Sequence, residues 1–149
     1  MNKVLDSLKQ QMAELEKASG ALAYSLGKCS KTGLHTGLSD EELESFEALT
    51  SRFARLGDIL IQKILRYFDT LDLEDQGTVR DRINRAEKKE IIRSAEEFIQ
   101  IRLLQNEIAH EYKADTIYDI FERVLVYSPV LMEAVDQVMA YAKRYDHEK

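Results

Sequence analysis

Residues 46–71 read FEALTSRFARLGDILIQKILRYFDTL, and their apolar spacing decides the fold. Phe46, Leu49, Phe53, Leu56, Leu60, Ile64, Tyr67 and Leu71 recur at steps of three and four, close to the seam spacing of an antiparallel helical bundle. The stretch predicts one long helix over about 40–72. Ser39 is placed to cap it, with Glu42 three residues later as the second half of a capping box. Gly57 interrupts the run and costs about 1 kcal/mol relative to alanine in a helix interior. Close approach of a neighbouring helix is the expected reason for it.

Upstream, Leu5, Leu8, Met12, Leu15, Ala18, Leu22 and Leu26 draw an apolar stripe along a first helix over about 2–28. It is expected to end in the glycine- and threonine-rich stretch GKCSKTGLHTG, residues 27–37. Downstream, Thr78 is placed to cap a short third helix, VRDRINRAEKKE, residues 79–90. Ser94 with Glu97 forms another capping-box pattern and opens a fourth helix over about 95–112. A break near Lys113–Asp115 precedes a last helical segment, about 116–145, with Ile117, Phe121, Val124, Leu131, Val135, Val138 and Ala142 on its core face. Pro129 is expected to kink or restart it, with Ser128 as a cap. No stretch shows strand alternation, internal repeats or low complexity. The expected fold is all-α, an up-and-down four-helix bundle with an additional short helix, in one domain over residues 1–149.

A net charge of -6 argues against a surface that grips nucleic acid everywhere, though not against a local basic site. The one cysteine, Cys29, has no intramolecular disulfide partner and suits a reducing compartment. The start MNKVLDSLKQ lacks the apolar core of a signal peptide, and no run of about 18 apolar residues suggests a membrane span. A soluble, cytoplasmic chain is expected. His35 and His147 have no metal-ligand companions at useful spacing, and no glycine-rich phosphate loop occurs, so neither metal nor cofactor is expected.

The chemistry concentrates in residues 100–112, QIRLLQNEIAHEY. On a helix, Phe98, Ile101, Leu104, Ile108 and Tyr112 fall on or near the core side. Arg102, Asn106 and His110 follow one another at steps of four and form a polar stripe away from it. Leu103 lies beside that stripe, which suggests that this face meets another surface. Histidine can pass protons near neutral pH, arginine grips phosphate with two prongs, and asparagine can fix a hydroxyl or an imidazole. Together they suit RNA cleavage. Spacing alone leaves the commoner explanation, an ordinary solvated helix face, in front.

The particular residues shift that balance. The run QNEIAHEY, residues 105–112, preceded by RLL, resembles the signature helix of the HEPN family, in the HepT-like branch paired with MNT-type nucleotidyltransferases. GTVRDRINRAEKKEII, residues 77–92, is similar to the segment leading into that helix, and FEALTSRFARLGDILIQKIL resembles the family's long second helix. The order of helices agrees over nearly the whole chain. The resemblance implies a bundle that dimerises along the motif helices around a composite cleft. It implies the toxin half of a toxin–antitoxin pair, a metal-independent ribonuclease neutralised by its nucleotidyltransferase, in some systems through AMP added to the motif tyrosine. Carried over, His110 is the catalytic residue, Asn106 its polar support and Tyr112 the modification candidate.

Gln105 departs from the pattern by standing where the family places its catalytic arginine. Glutamine lacks the fixed charge that would stabilise a phosphorane-like transition state, and losing one such contact commonly costs a factor of about 100 or more in rate. Arg102, three residues earlier, is the candidate to supply that charge, from the same chain or from a dimer partner. The alternative is a non-catalytic subunit that binds a nucleotidyltransferase or its nucleotide or RNA substrate. Arg82, Arg85, Lys89 and Arg93 share one face of the third helix and its exit. They read either as a phosphate-tracking strip feeding the cleft or, more commonly, as a solvated face with ion pairs.

Overall fold

The computed structural model describes residues 2–110 and 116–146. The chain is an all-α bundle, and among the described residues there is no strand. Its helices are α1 (Lys3–Thr32), α2 (Asp40–Asp58), α3 (Leu65–Leu71), α4 (Val79–Lys88), α5 (Ala95–Ala109) and α6 (Ile117–Ala142). A π-helical segment, Ile59–Ile64, joins α2 to α3 without a break, and a 3₁₀ turn, Lys143–Tyr145, follows α6. Helices α1 and α5 each pack against both α2 and α6, while the short α4 lies across α3 and α5. No described helix is long and apolar enough to cross a membrane.

The long second rod forms over the expected span, but not as one α-helix. Phe46, Leu49, Phe53, Leu56 and Leu60 are all fully buried, as their spacing requires. The wider π turn then advances the chain by about one residue. Ile61, Ile64, Leu65 and Phe68 therefore face the core, and Tyr67 and Leu71 move to its margin. Gly57 marks a close crossing with α5: a Cβ there would stand 2.6 Å from Gln105 Nε2.

Two expected helix ends move. Helix α1 continues to Thr32 because Cys29, one turn from the end, is fully buried and donates to Ser45 O at 3.4 Å. Gly33, with φ of 76°, then turns the chain out of the helix. Helix α6 runs through Pro129 without restarting, and Ser128 sits inside it, its buried hydroxyl donating to Val124 O at 2.6 Å. The proline ring leaves the Leu125 carbonyl without its usual intrahelical donor.

The caps at Ser39 and Thr78 close as full capping boxes, with Glu42 and Asp81 reaching back to the cap N–H. At Ser94 only half of the box forms. Its hydroxyl accepts from Glu97 N at 3.2 Å, but both Glu97 carboxylate oxygens are taken by Arg93 at 2.7 and 2.8 Å.

Candidate functional site

Helix α5 carries the candidate residues and stops earlier than its apolar pattern suggests. It ends at Ala109, and His110 is the C-cap, with φ of -90° and ψ of 153°. The His110 N–H donates to Asn106 O at 3.2 Å, and its ring Nδ1 contacts the same carbonyl oxygen. A carbonyl can only accept, so Nδ1 carries a proton and donates in this contact. Asn106 and His110 are both exposed. Tyr112, the modification candidate, lies outside the described residues.

Arg102 is not beside His110. The two are eight residues apart, about 12 Å along a helix at 1.5 Å per residue. The half-buried Arg102 side chain instead meets Gln62 in the π segment. With its oxygen toward α5, the Gln62 carboxamide accepts from Arg102 Nε and Nη2, both at 3.2 Å. From α4, Arg82 Nη1 approaches the same carboxamide to 3.5 Å. One oxygen cannot serve both guanidiniums, and the two shorter contacts place it with Arg102.

Gln105 itself points away from the stripe. It is buried against the bare face of Gly57, where its Nε2 donates to Ala54 O at 3.1 Å. Its Oε1 is buried without a hydrogen-bond partner. The residue standing in the motif-arginine position thus acts as a spacer between α2 and α5. An arginine in that orientation would bring an unpaired charge into the core, at a cost of several kcal/mol.

Near the His110 end of α5, a fork of ion pairs fixes the helix to α6. Arg123 Nη1 and Nη2 hold the two carboxylate oxygens of Glu107, and Nε donates to Asp119 at 3.1 Å. Hydrogen bonding to Arg123 holds Glu107 below the ordinary carboxylate range. Leu103, expected to be uncomfortable in water, is half exposed at 49% on the outer side of α5.

The four cations of the expected strip are each held by carboxylates. Arg82 is buried, with Nε 4.0 Å from Asp69 Oδ2 and without a hydrogen-bond partner, while its Nη1 donates to Ile61 O at 3.4 Å. Arg85 reaches the same Asp69 oxygen at 2.7 Å. Lys89 bridges Asp72 and Glu74 at 2.9 and 2.8 Å. Arg93 pairs with Glu97 at 2.7 Å and with Glu133 at 3.2 Å. They do not form a continuous open track. Burial pushes Asp69 above the ordinary carboxylate range in spite of Arg85, and burial likewise lowers Arg82. Burial alone would lower Lys89, but its bonds to Glu74 and Asp72 outweigh that and hold it raised.

Two polar centres have no counterpart in the motif reading. One is Gln62, in the π segment ILIQKI, where it stands between Arg102 and Arg82. The other is Asp72, which accepts from Lys89, Tyr141 and Tyr145 in an open depression of about 710 Å³ also lined by Leu73 and Arg144. Asp69 and Asp72 are visible in the sequence as acids in or just after an apolar run, but their partners lie 13 to 73 residues away and carry no local signal. No family model, curated protein or solved structure matches the chain.

Proposed function

We propose that the chain is a HepT-like HEPN protein, the toxin component of a toxin–antitoxin pair, that cleaves RNA without a metal as a homodimer built along α5. His110 takes the 2′-hydroxyl proton through its Nε2, and Asn106 holds the imidazole tautomer through its backbone oxygen. The observation that carries the reading is the exposed Asn106–His110 pair at the end of α5, with the ring Nδ1 tied to the Asn106 carbonyl. Half-exposed Leu103 on the same helix supports a paired surface, which would bring a second His110 and the partner's cations to one cleft. An MNT-type nucleotidyltransferase is the neutralising partner, with Tyr112 as its target.

The burial of Gln105 favours a second reading. No charged side chain occupies the motif-arginine position, so the cleft can serve as a non-catalytic docking site for the nucleotidyltransferase, its nucleotide or RNA. Cleavage of single-stranded RNA in excess EDTA separates the two. The natural chain is expected to cut, and His110→Ala to lose about 100-fold or more of that rate, as removal of a proton-transferring group does. Equal cleavage by both proteins would overturn the role of His110. No cleavage by either would leave the docking reading in its place.

A further inference from the structure

Three cations and one carboxylate line a depression of about 300 Å³ between α1 and the second half of α2. Its walls are Glu14, Lys17, Ala18 and Ala21 from α1 and Arg52 and Arg55 from α2. Three positive charges thus face one negative charge in a chain whose net charge is -6. The depression lies away from α5. Arg52 and Arg55 turn to the α1 side of α2, whereas Ala54 and Gly57 meet Gln105 on another.

The cations differ in how firmly they are held. Arg52 is half buried, and its Nη1 donates to the buried Ser25 hydroxyl at 2.7 Å and to Ala21 O at 3.3 Å. Those two bonds fix the guanidinium at the wall without neutralising it. Among the described residues no carboxylate pairs with Arg52 or with the exposed Arg55. Exposed Lys17 meets only Glu14 of its own helix, at 3.9 Å. Asp58, one turn beyond Arg55, is not among the lining residues. Glu44 stands eight residues before Arg52, about 12 Å along the helix. Small side chains, Ala18 and Ala21, leave the space between these groups open.

An aromatic ring stands beside the cations. Tyr24 is 67% exposed, and the Arg52 guanidinium lies 6.0 Å from its ring centroid. A long side chain on a helix leans toward the residues three and four positions earlier, which here are Ala21 and Gly20. A Cβ at Gly20 would meet nothing within 4 Å, so no side chain crowds that end of the ring.

We infer that this depression binds a nucleotide unit, its phosphate on Arg52, Arg55 and Lys17 and its base stacked on Tyr24. Guanidinium groups suit phosphate oxygens, and an exposed phenol ring suits a base face. The phosphate belongs either to a single strand of RNA or to a free mononucleotide. The site does not rest on the role given to His110, because no residue of α5 takes part in it.

Binding is read with a fluorescein-labelled 2′-O-methyl RNA 12-mer by anisotropy, and with AMP by calorimetry. The 12-mer has no free 2′-hydroxyl, so the result does not depend on whether the chain cuts RNA. Arg55→Ala and Tyr24→Ala change exposed residues, and unchanged circular-dichroism melting would show that both fold. Arg52 is left intact because it ties α2 to α1. Arg55→Ala is expected to weaken strand binding about tenfold and to lower the salt slope by about 0.7. Tyr24→Ala is expected to weaken it about tenfold at an unchanged slope, as loss of one stacked base does. Lys88→Ala, an exposed charge on α4, controls for charge removal alone. Strand binding weakened in both variants and kept in Lys88→Ala supports a strand. AMP binding weakened in the same way, without strand binding, supports a free nucleotide. Loss in Arg55→Ala without loss in Tyr24→Ala would overturn a nucleotide as the ligand. Binding of neither probe, or equal losses in Arg55→Ala and Lys88→Ala, would overturn the site.

Discussion

The crossing of α2 and α5 can be tested by the sign of one substitution in two backgrounds. Gly57→Ala should gain about 1 kcal/mol from helix propensity if its new methyl met nothing. In this fold the methyl would stand 2.6 Å from Gln105 Nε2 and 3.0 Å from its Cδ. The carboxamide must then swing away and give up its bond to Ala54 O, leaving buried polar atoms unpaired at a cost of about 1–3 kcal/mol. Gly57→Ala alone should therefore be neutral to about 2 kcal/mol destabilising. In a Gln105→Ala background the obstacle is gone, and the same change should stabilise by up to about 1 kcal/mol. The coupling in the double-mutant cycle is then about 1–3 kcal/mol, read from urea midpoints at unchanged m value. A gain of about 1 kcal/mol from Gly57→Ala in the natural chain would refute the packing of Gln105 on Gly57, and with it the account of why position 105 holds no charge.

Other outcomes follow from the same contacts. Gln105→Arg should lower stability by about 3 kcal/mol or more, a fall in melting temperature of roughly 6–12 °C for a chain of this size. Asp72 is pushed up by burial, but hydrogen bonds from Tyr141, Tyr145 and Lys89 outweigh this and hold it below its ordinary 3.8. An acid lowered by folding stabilises above its unfolded pKa and loses that contribution as pH falls through the folded one. Asp72→Asn should cost about 1–3 kcal/mol at neutral pH and remove part of the acid sensitivity below pH about 4; Asp69, shifted upward, works in the opposite sense and will not mask it if melts are compared between the two proteins. Leu103→Glu should halve the solution mass measured by light scattering if α5 is the dimer surface, and an unchanged mass would remove α5 from the interface.

The architecture was readable from periodicity because burial repeats every three or four residues wherever a helix meets a core. Phe46 through Leu60, Phe98 through Leu104 and Phe121 through Val138 were all placed correctly on that basis. What periodicity misses is a change of pitch. An isoleucine–leucine run offers apolar side chains at every angle, so the π turn at 59–64 left no mark, and Tyr67 and Leu71 were placed one step too deep. Capping chemistry, being local, was legible at Ser39 and Thr78; at Ser94 the same letters misled because Arg93 competes for Glu97. The candidate site residues stand in the sequence as letters, without their geometry. Whether Arg102 faces His110 or Gln62, and whether Gln105 faces water or Gly57, depends on residues 40 and 48 positions away. The basic strip likewise looked continuous because its acids, Asp69, Asp72 and Glu133, belong to other helices.

The Asp72 junction has a consequence for the order in which the bundle comes apart. Its phenol partners, Tyr141 and Tyr145, are 69 and 73 residues away, so besides the Lys89 bridge the junction is held by the end of α6 and the turn after it. Contacts closing so long a loop are expected to form late in folding and to be absent from its transition state. Weakening them would then leave the folding rate nearly unchanged and accelerate unfolding instead. Release of the turn after α6 would uncover the end of the bundle where Tyr145 lines one depression with Leu8 and Met139.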